Sequence, residues 1–177
     1  RAFGENYVQE ALEKIEALTD LRDTIEWHLI GPLQSNKTRA VATHFDWVHS
    51  VDRLKLAERL AAQRPVGMPP LQVCLQVNIS GEPSKSGIEP DAALPLARSV
   101  AALPGLRLRG LMAIPEPDPD PQTQRAPHRA LARLLYDLNA AGLALDTLSM
   151  GMSADLEAAI LEGATIIRVG TAIFGAR

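Results

Sequence analysis

The sequence predicts a parallel α/β fold, either doubly wound or closed as a (β/α)8 barrel, and three observations carry that prediction. Short apolar segments, many of them β-branched, recur along all 177 residues. Amphipathic segments alternate with them, and the connections between the two kinds are short. A 46% hydrophobic share supplies enough apolar surface for a core in one ordinary domain.

The strand candidates, in order, are the stub "RAFGEN", "IEWHLIG" (25–31), "FDWVHSV" (45–51), "LQVCLQVNI" (71–79), "LRLRGLMAI" (106–114), "LDTLSMGM" (145–152) and "TIIRVGTAIF" (165–174). Seven strands fall one short of a closed barrel. An eighth strand and its helix are therefore expected upstream of Arg1, unless the sheet is open. Between the strands, "NYVQEALEKIEAL" lines up Tyr7, Val8, Ala11, Leu12, Ile15 and Leu18 on one helical stripe, and "DRLKLAERLAAQ" does so with Leu56, Ala57, Leu60 and Ala61. Ser35, Asp52, Asp91 and Ser153 stand where N-caps would stand, and Gly142 and Gly163 where helices should end. The Pro- and Asp-rich stretch "PEPDPDPQTQRAP" (115–127) is expected to be an exposed loop without helix.

Composition excludes several functions. A net charge of −3 argues against a nucleic-acid groove or an anionic membrane surface, since both need clustered Lys and Arg. The one cysteine, Cys74, lies in an apolar run and reads as a buried thiol. No apolar run approaches a membrane span and the opening residues do not form a signal peptide, so a cytoplasmic location is the default. The four histidines lack metal-like spacing, and no Walker, dinucleotide or G-x-S-x-G pattern occurs.

Ligands of such folds sit where the strand C-termini emerge, and barrels often bind phosphate on the last two loops. Here those loops carry Ser153 and the pair Gly170–Thr171: two hydroxyl donors, and a glycine that lets an oxyanion approach the backbone. Arg168 shares a strand face with Ile166 and Gly170, and a guanidinium there cannot discard its charge on burial. It needs an acceptor, either a neighbouring carboxylate or a ligand atom. Asn6, His28, Asn78 and Ser149 are the other polar residues near strand exits, with His28 equally readable as a core residue. Lys37 and Lys85 lie in polar loops that could take a second anion.

The blocks "FGENYVQEALEKI", "WHLIGPLQSNKTR", "FDWVHSVDRLKLAERL", "QVNISGEPSKSGI", "LRLRGLMAIP", "LSMGMSADLEAAILEGAT" and "IRVGTAIFGAR" resemble, in one order and nearly end to end, the pyridoxal 5′-phosphate homeostasis proteins. These are single-domain relatives of the alanine racemase N-terminal barrel. The resemblance implies an α/β, TIM-type (β/α)8 barrel, with residues 1–177 forming a single, N-terminally truncated domain for pyridoxal 5′-phosphate (PLP). It also implies a monomer that holds the cofactor on a lysine without established turnover, and that buffers it or delivers it to apo-enzymes. By the same resemblance Ser153, Gly170 and Thr171 contact the phosphate, Arg168 faces the pyridine nitrogen, Asn6 lies against the ring and Met152 touches it through its backbone. The family's anchoring lysine falls at the end of the first strand, in the segment expected before Arg1, because Lys14, Lys37, Lys55 and Lys85 belong to other motifs. The alternatives are a PLP-dependent racemase or decarboxylase, which would need a second β-rich domain, and an unrelated barrel enzyme for a small phosphorylated metabolite.

Overall fold

A computed structural model describes residues 1–82, 86–116, 118 and 120–175. Seven strands, β1 (Ala2–Glu5), β2 (Glu26–Leu29), β3 (Trp47–Val51), β4 (Leu71–Gln76), β5 (Leu106–Met112), β6 (Thr147–Met152) and β7 (Ile166–Arg168), are all parallel and pair strictly in chain order. Doubly wound sheets reverse their strand order at a switch point. This sheet does not, which removes that alternative.

Side chains show that the sheet is curled. Neighbouring strands lie about 4.8 Å apart, so β3 and β6, three places apart, would be about 14 Å apart if flat. Yet His49 of β3 and Ser149 of β6 are hydrogen-bonded at 2.7 Å. The strands thus wrap around a lumen, as in a TIM-type barrel. Helices α1 (Val8–Ala17), α2 (Thr38–His44), α3 (Leu54–Gln63), α4 (Ala93–Ala101), α5 (Pro121–Ala140), α6 (Leu156–Leu161) and α7 (Thr171–Phe174) follow the strands.

Period-two alternation divides the buried residues into two layers. Outward residues such as Leu71, Val73, Leu75 and Val77 join the main core beneath the helices, where Val8, Ala11 and Ile15 of α1 and Leu56, Ala57 and Leu60 of α3 also lie. Tyr7 and Leu18, at the ends of the expected α1 stripe, are exposed. Inward residues Trp47, Cys74 and Met112 form a smaller cluster with Ile114 and Ile166 inside the lumen. The Cys74 thiol is fully buried, and burial pushes its pKa up to about 12.

Three expectations are corrected. The stretch 115–127 is not helix-free: α5 starts at Pro121, because Asp120 accepts the Thr123 N–H at 2.8 Å and a proline costs nothing at a first-turn position whose N–H is unpaired anyway. Pro127 lies inside this helix. The run 165–174 is not one strand: β7 stops at Arg168, and Gly170 turns the chain into α7. Finally, Ser35, Asp52, Asp91 and Ser153 supply no side-chain caps. Arg53 and Asp155 hold the N-cap positions of α3 and α6, while the Asp52 carboxylate is taken by Arg53. Gly142 and Gly163 do stand just past the ends of α5 and α6, both with positive φ. Among the described residues no helix is long and apolar enough to cross a membrane, and no group of metal-ligating side chains forms.

Candidate functional site

All strands being parallel, their C-terminal ends share one mouth of the barrel. Met152 at the end of β6 pairs directly with Arg168 at the end of β7. The turn carrying Ser153 and the turn carrying Gly170–Thr171 are therefore neighbours, as the sequence predicts. Both hydroxyl-bearing residues reach solvent, and the space a side chain would fill at Gly170 is open.

Arg168 enters the lumen from β7. Its Nη1 donates to Ser149 Oγ at 2.8 Å and its Nη2 to the Ala113 carbonyl at 2.9 Å. Its Nε is buried and has no partner. Among the described residues no carboxylate lies within ion-pair distance of it, so the first of the two acceptors considered for it is absent. Burial pulls its pKa from 12.5 down to about 10, only partly offset by the charge of Asp155. Arg168 is thus a buried cation whose Nε–H has no acceptor.

The Ser153 turn is held from below. Asp155 Oδ1 accepts the Met152 N–H at 2.6 Å, and Asp155 Oδ2 lies 2.9 Å from Nε2 of His128, a fully buried residue of α5. Asn6 is exposed in the bend between β1 and α1, at the same mouth. Gly31 packs against its carbonyl so closely that any Cβ would overlap it, and Ser50 Oγ donates to the Gly31 carbonyl at 2.7 Å. Asn78, by contrast, is structural: its Nδ2 donates to the Glu82 carbonyl at 2.9 Å. Lys14 is turned away from the lumen, its Nζ bound to Glu5 at 2.8 Å, and Lys85 lies outside the described residues. A depression of about 390 Å³ lined in part by Gln124, Arg125, Ser153 and Asp155 adjoins the mouth.

His28 proves to be a core residue, and His49, Glu26 and Ser149 join it in a connected line through the lumen, which sequence reasoning missed. Glu26 Oε1 lies 2.8 Å from His28 Nε2, His28 Nδ1 lies 2.8 Å from His49 Nε2, and His49 Nδ1 lies 2.7 Å from Ser149 Oγ. Burial lowers the pKa of both histidines; His49 falls well below the usual range, with the charges of His28 and Arg168 adding to the effect, whereas Glu26 opposes the fall at His28. The available signal was the polar alternation Glu26-x-His28 and Trp47-x-His49 on inward faces.

A depression of about 740 Å³ at the opposite mouth is rich in arginine, and three of its cations are occupied. Arg22 is forked onto Asp46, Arg109 onto Asp146, and Arg64 donates to three carbonyls.

The residues at the C-terminal mouth fit a phosphorylated, heteroaromatic group. Hydroxyls flank an open glycine where an oxyanion would lie, and a buried donor without a partner points to a missing acceptor.

Comparison with known proteins agrees with the barrel fold. The family model described as alanine racemase, N-terminal domain, matches residues 1–177. The pyridoxal phosphate homeostasis protein of Pseudomonas aeruginosa is 64% identical over 177 residues, covering all of this chain and 75% of the relative. The structure of PipY from Synechococcus elongatus without PLP superposes with a TM-score of 0.90 at 43% identity, and that with PLP bound with a TM-score of 0.88 at 40% identity. Each covers 98% of this chain and 81% of the solved one.

Proposed function

The chain belongs to the alanine racemase N-terminal domain family and, within it, to the pyridoxal phosphate homeostasis proteins; from that membership we propose that it binds PLP at the C-terminal mouth and serves to buffer or hand on the cofactor rather than to turn over a substrate. The observation that carries this reading is the unpaired buried Nε of Arg168 beside the open glycine of the next turn. Ser153 and Thr171 offer hydroxyls to the phosphate and Gly170 leaves its backbone accessible. Arg168 donates toward the ring nitrogen, with Asn6 and Met152 beside the ring.

Bound there, the cofactor supplies an aldehyde that condenses with amines and a ring that accepts electron density, most strongly when its nitrogen is protonated. Arg168 works against that last property. A guanidinium donates a hydrogen bond while keeping its proton, so it satisfies an unprotonated ring nitrogen, whereas a carboxylate would favour the protonated one. Weak electron withdrawal suits a carrier. We assign the recipients to PLP-dependent apo-enzymes, the working form to a monomer, the location to the cytoplasm, and residues 1–177 to a single cofactor-binding barrel domain.

The test is to add PLP to the full-length protein, look for a new absorption band, and reduce with borohydride to fix the cofactor on one lysine. A protein that shows no band and no labelled lysine does not have this function. Added D- or L-alanine should not be racemised at an enzyme-like rate; measurable turnover would instead favour a racemase-type enzyme.

A further inference from the structure

The line of contacts through the lumen has a direction that chemistry fixes at both ends. Arg168 can only donate, so Ser149 Oγ accepts from it at 2.8 Å. Ser149 is fully buried, and His49 Nδ1 at 2.7 Å is the acceptor within reach of its own proton. His49 Nδ1 must therefore be unprotonated and its Nε2 carries the hydrogen. At the far end the Glu26 carboxylate can only accept, so His28 Nε2 carries the hydrogen there and His28 Nδ1 accepts from His49 Nε2. The two deductions start from opposite mouths and meet at the same bond. A second proton on His28 would reverse every link and leave the buried Ser149 hydroxyl with no acceptor.

We propose that His49 and His28, acting through Ser149, are positioning residues for Arg168. The one-way chain Arg168→Ser149→His49→His28→Glu26 fixes the guanidinium by its Nη1, while the Ala113 carbonyl fixes Nη2, so that Nε is the guanidinium nitrogen left without a partner and free for the cofactor ring. This rests on the PLP reading above. Stacking holds the chain in register: the His28 ring lies flat on Trp47, with centroids 5.3 Å apart and planes at 7°, and the Arg109 guanidinium lies over the Trp47 ring at 4.9 Å. The ionisable groups facing the two imidazoles are Glu26, Asp46, and Arg168; β4 and β5 present Cys74 and Arg109 to Trp47 beside them, and β1 presents Gly4, which pairs with His28.

The decisive measurement is long-range ¹H–¹⁵N correlation on the histidine-labelled protein without cofactor, between pH 6 and 8. Both rings should be neutral and protonated on Nε2 alone. An Nδ1-protonated tautomer at His49, or a charged imidazole at either position, overturns the proposal. In the PLP-loaded protein, His49→Leu and Ser149→Ala should each move the pH midpoint of the cofactor band by about one unit, the size set by one altered hydrogen bond to a charged group, and His49→Gln, whose amide can still accept from Ser149, should restore most of it. Variants that fold and leave the band where it was refute the coupling even if the tautomers are as stated. A wild-type protein that takes up no PLP refutes the functional reading, while the tautomers still decide the chain.

Discussion

Replacing Arg168 with methionine removes a buried charge while keeping most of the side chain's length. Burial lowers the guanidinium pKa from 12.5 to about 10. The unfolded chain therefore holds this proton more tightly than the folded one, stability rises with pH only between those two values, and the full cost is present at pH 7. At about 1.36 kcal/mol per unit the cost is about 3 kcal/mol, and the substitution removes it. Against that, the variant gives up the bonds to Ser149 Oγ and the Ala113 carbonyl, each worth about 1.5 kcal/mol, the lower end for a charged donor. The terms nearly cancel. Urea denaturation at pH 7 should place Arg168→Met within about 1 kcal/mol of the parent, while the absorption band of added PLP is displaced or lost. An arginine in a buried ion pair behaves otherwise, and its removal costs about 3–5 kcal/mol by stranding the partner. A loss of that size would falsify the view that Arg168 awaits a ligand.

Three further outcomes follow from the same geometry. Ser153→Ala should weaken PLP affinity about tenfold, the value of one hydrogen bond, without shifting the band; unchanged affinity in an absorbance titration removes Ser153 from the phosphate contacts. Because His28 and His49 both have lowered pKa values, the unfolded chain takes up protons below about pH 6.5 that the folded chain refuses. The urea midpoint should therefore fall between pH 7 and pH 5, and a rise would mean the imidazoles are charged in the fold. Gly110→Ala would place a Cβ in the Thr147 carbonyl and force β5 from β6; a loss of at least about 3 kcal/mol, read by thermal unfolding, is expected, and parent-like stability would contradict the register.

The architecture was legible because alternation of apolar and amphipathic segments is a local property, and local properties survive in sequence. Element ends were less so. Proline normally argues against helix, yet Pro121 sits in the first turn, where its missing N–H costs nothing, and Asp120 supplies the cap. Ser153 lies in the turn after β6 as expected but is not the helix cap: the helix start belongs to Asp155, whose carboxylate turns back to hold Met152. Arg168 could be found from sequence because a single guanidinium in an apolar strand is anomalous on its own. The chain behind it could not, since His49 and Ser149 are one hundred positions apart and meet only because the sheet curls.

That curl also explains why the polar line persists where an apolar lumen would cost less. Trp47, Cys74, Met112 and Ile166 show that the interior can be filled by packing alone. The neutral links in the middle of the line add little net stability, but the line has a direction, and direction is what an apolar plug lacks. Arg168 has no acceptor to offer at the mouth in any case, and what the committed links add is a guanidinium held in one place. Only an atom with a free lone pair and no hydrogen satisfies its Nε. The unprotonated state of whatever nitrogen sits there is thus favoured by Arg168 itself, and replacing Glu26, which lies half-exposed at the far mouth, is the most remote change able to alter how Arg168 is held.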